Sequence, residues 1–164
     1  MVKNRKITML RQGVLAGAAG GLAEVAWVSL YAAATGGDAA ILAHGVTTAG
    51  GVTALLPASP VALGVAVHMT LAVMLGVALS GVWAALRRGS PRLSNPYPFM
   101  LAALAGVWAI NFFVVLPIVS PAFVHIVPYA VSLTSKLLFG VAAATVLQRQ
   151  TVVELLTSPI QGRK

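Results

Sequence analysis

The chain has 164 residues, of which 59% are hydrophobic and only 9% charged, and this composition excludes an ordinary water-soluble surface. The formal net charge is +8, but the basic residues flank apolar spans instead of lining one solvated face; anionic lipid headgroups, not nucleic acid, are the expected counter-charge. There is no cysteine, so disulfides, thiolate metal sites and cysteine nucleophiles are excluded.

Lys3, Arg5, Lys6 and Arg11 open the chain and precede a first predicted span over 9–34. The apolar stretch from Gly13 to Thr35 is long for the core of a cleaved leader and carries Glu24, so it is read as a retained span. Within it Gly13, Gly17 and Gly20/Gly21 lead to Glu24 by steps of three and four, one helical face. The segment 36–59 is apolar but rich in Gly, Ala and Thr. It predicts an interfacial helix near Asp38–Gly45 followed by an irregular return.

A second span is predicted over 60–86, where Gly64, His68, Ala72, Gly76 and Ser80 form an unbroken every-fourth-residue stripe. Arg87, Arg88 and Arg92 follow. A third span over 97–116 contains Asn111, which has no comparable stripe of small residues. Three prolines then punctuate 117–128, an apolar segment expected to lie in the interface or against a partner. The fourth span is predicted over 128–147, with Ser132, Lys136, Gly140 and Ala144 on one face. The tail 148–164 carries Arg149, Arg163 and Lys164, and its residues 151–157 suggest a short surface helix.

These elements predict an all-α integral membrane fold, a single four-helix bundle. Four crossings put all three basic clusters on one side, so both termini are expected to be cytoplasmic. Small residues at four-residue spacing let helix backbones approach closely in lipid; Gly13, Gly17, Gly21, Gly64, Gly76 and Gly140 are the candidate packing positions. Glu24, His68, Asn111 and Lys136 fall at similar depth, about 8–15 Å below the outer surface at helical rise. An interior Glu24–Lys136 ion pair completed by His68 and Asn111 is the central expectation. Three readings of that layer stand open: glue that fixes helix register, a snorkelling Lys136 beside a protonated Glu24, and a functional cluster carrying protons or a ligand.

Catalytic and metal signatures are lacking. There is no Gly-x-Ser-x-Gly elbow, no His-Glu-x-x-His and no acidic pair, and His44, His125 and Asp38 have no metal-ligand spacing. Haem b would need His68, the sole histidine inside a span, to pair with His44 or His125 from an outer segment. Trp27, Trp83, Trp108, Tyr31, Tyr97 and Tyr129 read as an interfacial belt.

The order of features resembles the small four-span bacterial inner-membrane proteins of the YagU type. The similarity rests on Gly13-Val-Leu-Ala-Gly17 leading to Glu24, on Gly64-Val-Ala-Val-His68, on Leu104-Ala-Gly106 running to Leu116-Pro117, and on the basic exit of the fourth span. It covers the spans but not the loops, and this chain departs from the pattern at Lys136. The resemblance implies a bacterial inner-membrane location and carries no established activity. The leading functional expectation is a non-catalytic accessory subunit of a larger membrane complex, of respiratory or energy-transducing type, with other membrane subunits as partners. The alternatives are a proton or small-solute pathway through Glu24, His68 and Lys136, and a haem- or quinone-binding redox subunit.

Overall fold

A computed structural model of the chain describes residues 2–49, 51–52, 54, 60–90 and 93–157. It is all-helical, with no strand among the described residues. Helix α1 spans Val2–Thr35, α2 Ala39–Ala49 and α3 Pro60–Gly89. Helix α4 (Tyr97–Ile110) passes through a π-helical turn, Asn111–Val115, into α5 (Leu116–Val119). A 3-10 turn over Pro121–His125 leads to α6, Tyr129–Thr157. Four stretches are long and apolar enough to cross a membrane: Ile7–Thr35, Val61–Gly89, Tyr97–Val119 and Tyr129–Arg149. This is a multi-pass membrane protein.

Its surface is that of a lipid-solvated bundle. Leu22, Leu30, Met74, Ile110, Phe113 and Ile118 are all well exposed, while Glu24, Ser132 and Ser135 are buried. Helix α1 is the centre, packed on α3 along one side and α6 along the other, and α6 in turn carries α4. Helix α3 and the third span barely meet. They touch at the arginine-bearing end of α3, where Trp83 stacks on Phe99 with ring centroids 5.5 Å apart, and they separate toward α2. Tyr97 and Thr145 hydroxyls, 2.9 Å apart, tie α4 to α6 at that same end.

Glycines make the α1–α3 crossing. A Cβ on Gly17 would lie 2.5 Å from the Ala72 carbonyl oxygen and one on Gly13 2.6 Å from the Val77 Cα, while one on Gly76 would run into the Gly17 backbone. Gly21 faces Ala72 and Met69 across the same seam. Gly64 lets α2 settle on α3 through Ala43, and Gly140 meets Met100 and Leu101 of α4 at ordinary contact distance. Helix α1 stops because Gly36 adopts φ +69° and the Gly37 N–H turns back to the Ala32 carbonyl at 2.8 Å. Asp38 then caps α2, its Oδ1 accepting from the Ala40 N–H at 2.8 Å.

Several elements differ from expectation for identifiable reasons. The third span does not stop before Pro117. Proline offers no N–H to the Phe113 carbonyl, so the helix widens instead, and the Leu116 N–H bonds to the Asn111 carbonyl five residues back. Helix α2 runs four residues beyond Gly45, held against α3. The tail residues 151–157 continue α6 without a break, and the remainder of the tail lies outside the described residues. Trp83 is 5% exposed, a core residue and not a belt residue.

Candidate functional site

Each polar group in the spans comes from a different helix, and three of them converge. Glu24 is 3% exposed, and its Oε1 lies 2.7 Å from Lys136 Nζ. Ser135 donates a second hydrogen bond to the same oxygen at 3.3 Å. The other oxygen, Oε2, faces His68 Nε2 at 3.6 Å, just beyond hydrogen-bonding range, and that nitrogen is buried without another partner among the described residues. Asn111 stands apart. It shares a cavity with the other three but makes no side-chain hydrogen bond to them.

The convergence follows from the packing faces. Gly21 lies three residues before Glu24 and admits Ala72, one turn after His68, so the α1–α3 crossing carries the imidazole to the carboxylate. On α6, Phe139 lies against Gly20 three residues after Lys136, and this contact brings the amine to the same height. At 1.5 Å per residue the four groups lie roughly 10–16 Å from the α2-side ends of their helices. Lys136 therefore points inward and does not snorkel.

The four residues line a cavity of about 490 Å³ between α3 and the third span. Helix α2 contributes Ala40, Ala43, Val46 and Ala49 to its wall, and the π turn contributes Asn111, Phe112 and Val115. The walls are otherwise aliphatic, with Val28, Val65 and Leu71 among them. The cavity is closed at its inner end. Phe139, Met100 and Leu104 are 0–1% exposed, and the Phe139 ring lies against Gly20, where a Cβ would come within 2.6 Å of it. Beyond this plug, toward the arginine-bearing end of the bundle, Ser80 of α3 is buried with a hydroxyl unpartnered among the described residues.

Neighbouring hydrogen bonds stiffen the wall. Trp108 Nε1 donates to Ser132 Oγ at 3.0 Å, Ser132 donates to the Tyr129 carbonyl at 3.0 Å, and Trp27 Nε1 donates to the Val131 carbonyl at 3.0 Å. Trp108, Phe112, Phe113 and Tyr129 form an aromatic cluster beside the π turn, with centroids 5.4–6.2 Å apart. This framework is not legible in the sequence, because tryptophans near span ends fit a belt as well as an interior bond. Nor is the cavity, which depends on where α3 and the third span diverge.

Among the described side chains, His68 and His44 do not come together as a haem ligand pair. His68 Nε2 faces the Glu24 carboxylate, whereas His44 lines a different cavity with Asp38 and bonds Thr48; the His125 side chain lies outside the described residues. No known protein family, characterised protein or solved structure matches this chain.

Proposed function

We propose that this chain is a non-catalytic membrane subunit whose working part is a dead-end binding cavity for an amphipathic small molecule. One observation carries the reading: an aliphatic cavity of about 490 Å³ ends on a polar floor of Glu24, Lys136 and His68, with Asn111 on its wall. Ligand sites commonly combine apolar walls with a few convergent polar groups, and this volume lies within their usual range of about 300–1,000 Å³. An ion pair serving only as helix glue has no need of a cavity above it. A proton or solute pathway is disfavoured by the Phe139 plug, since conduction needs a polar route on both sides of the membrane.

The surroundings of the protein are part of the proposal. The basic clusters and the YagU-type resemblance favour a bacterial inner membrane with both termini cytoplasmic and anionic lipids at that face. An accessory role in a larger complex is supported by the apolar segment beside the cavity, where Ile118 is 78% and Val119 59% exposed near the end of the third span.

Native mass spectrometry from mild detergent tests the reading. The wild-type chain is expected to retain a small lipophilic molecule, or to take one up when it is added. Val115→Trp, which fills the cavity from its wall, is expected to lose it. A wild-type protein that neither carries nor acquires a ligand sinks the proposal. The protein partners retained in the same preparation test the accessory role separately, and a monodisperse chain without partners counts against it.

A further inference from the structure

Resting on the binding reading above, we propose that the ligand presents an uncharged carbonyl to Lys136 and Asn111, on an apolar body held by the aliphatic walls. A quinone ring and an acyl ester share that chemistry.

The argument is a count of hydrogen-bonding capacity. The Glu24 side chain is only 4% exposed; one oxygen is taken by Lys136 and Ser135 and the other is turned to His68. Oε2 makes no hydrogen bond among the described residues, but it is burial, at 4% side-chain exposure, that leaves the carboxylate little to offer a ligand. A cationic ligand would have to compete for it with an ammonium already 2.7 Å away. Ser132 is spent as well, between Trp108 and the Tyr129 carbonyl. Lys136 remains. It has three N–H donors, one of them engaged by Glu24, and no other partner among the described residues; its side chain is 21% exposed where it lines the cavity. Asn111 adds an amide with no side-chain partner among the described residues. The cavity's polar end is rich in donors.

Charge then selects among acceptors. Glu24 and Lys136 cancel formally, and among the described residues no other Lys or Arg lines the cavity. A phosphate or carboxylate would carry an uncompensated negative charge between aliphatic walls, which is costly, whereas a carbonyl oxygen accepts two hydrogen bonds and carries none. His68 closes the third side of the carboxylate. Its Nε2 lies 3.6 Å from Oε2, so that oxygen faces a neighbour on α3.

The test is isothermal titration of the full chain in detergent with three probes of matched tail length: a short-tailed benzoquinone, a short-chain diacylglycerol and a short-chain phosphatidic acid. At least one uncharged carbonyl probe is expected to bind about ten-fold or more tighter than phosphatidic acid, and the tighter of the two names the source. Asn111→Leu, which leaves the ion pair intact, is expected to weaken that probe several-fold. Because Lys136→Met alone strands the buried carboxylate, Glu24→Gln with Lys136→Met is the second variant; it is expected to weaken the probe about ten-fold or more. Tightest binding of phosphatidic acid overturns the carbonyl inference while leaving the cavity a binding site. Carbonyl binding that neither variant weakens overturns the role of the donors. If no probe binds and mass spectrometry finds none retained, the binding reading itself fails and this inference falls with it.

Discussion

Phe139 rests its ring directly on Gly20, and that single contact both packs α6 against α1 and closes the cavity. The ring is completely buried, so Phe139→Ala removes a large side chain from a close-packed site. The expected loss is about 3–5 kcal/mol, read as reduced resistance to unfolding in mixed detergent micelles. Gly20→Ala attacks the same contact from the other helix, and a variant as stable as wild type would show that the ring can simply move aside.

The sealed floor carries a transport prediction. Liposomes containing the wild-type chain are expected to hold a proton gradient as long as protein-free liposomes, because the buried apolar side chains of Phe139, Met100 and Leu104 lie beneath the cavity. Flux that Glu24→Gln abolishes would restore the pathway reading.

Glycine positions separate packing from mere composition. Gly17 and Gly76 touch backbone to backbone, whereas a Cβ at Gly106 meets nothing within 4 Å. Gly17→Val is expected to disrupt the α1–α3 crossing and lower the melting temperature sharply. Gly106→Ala is expected to be neutral or stabilising by up to about 1 kcal/mol, since it adds helix propensity in open space. Equal effects at the two positions would remove the distinction.

The ion pair answers to a double-mutant cycle. Glu24→Gln leaves Lys136 without its counter-charge, and Lys136→Met leaves a carboxylate that is 3% exposed without its cation; each is expected to cost about 3–5 kcal/mol. Removing both is expected to cost clearly less than the sum, with a coupling of roughly 0.5–3 kcal/mol. Strict additivity would mean that the two groups act independently.

These expectations also mark what was legible in the residues. The convergence of Glu24, His68 and Lys136 is legible because each shares a face with Gly or Ala at helical spacing, and small residues decide which face turns inward. The four spans were legible from hydropathy and charge for the same kind of reason: lipid leaves few alternatives to a helix. Pro117 is ambiguous in the sequence, since a missing N–H can end a helix or widen it. The cavity was invisible because its existence depends on α3 and the third span meeting near Trp83 and Phe99 and parting toward α2. No local pattern encodes a divergence between two helices.

Pro117 therefore supplies the last test. Its missing donor forces the wide turn that begins at Asn111, and a π turn inserts one extra residue, which rotates everything before it relative to everything after it. Pro117→Ala restores an N–H for the Phe113 carbonyl and lets the span become regular α-helix. Stability is then expected to stay the same or rise, because a helix bond is gained in lipid. Asn111 is expected to rotate relative to the cavity, so ligand affinity falls although no lining residue has been changed. Crosslinking between cysteines introduced at positions 111 and 65 reads the rotation directly, and affinity from the titration reads its consequence. A Pro117→Ala protein with unchanged crosslinking and unchanged affinity would show that the wide turn is set by the aromatic packing of Trp108 and Tyr129 instead.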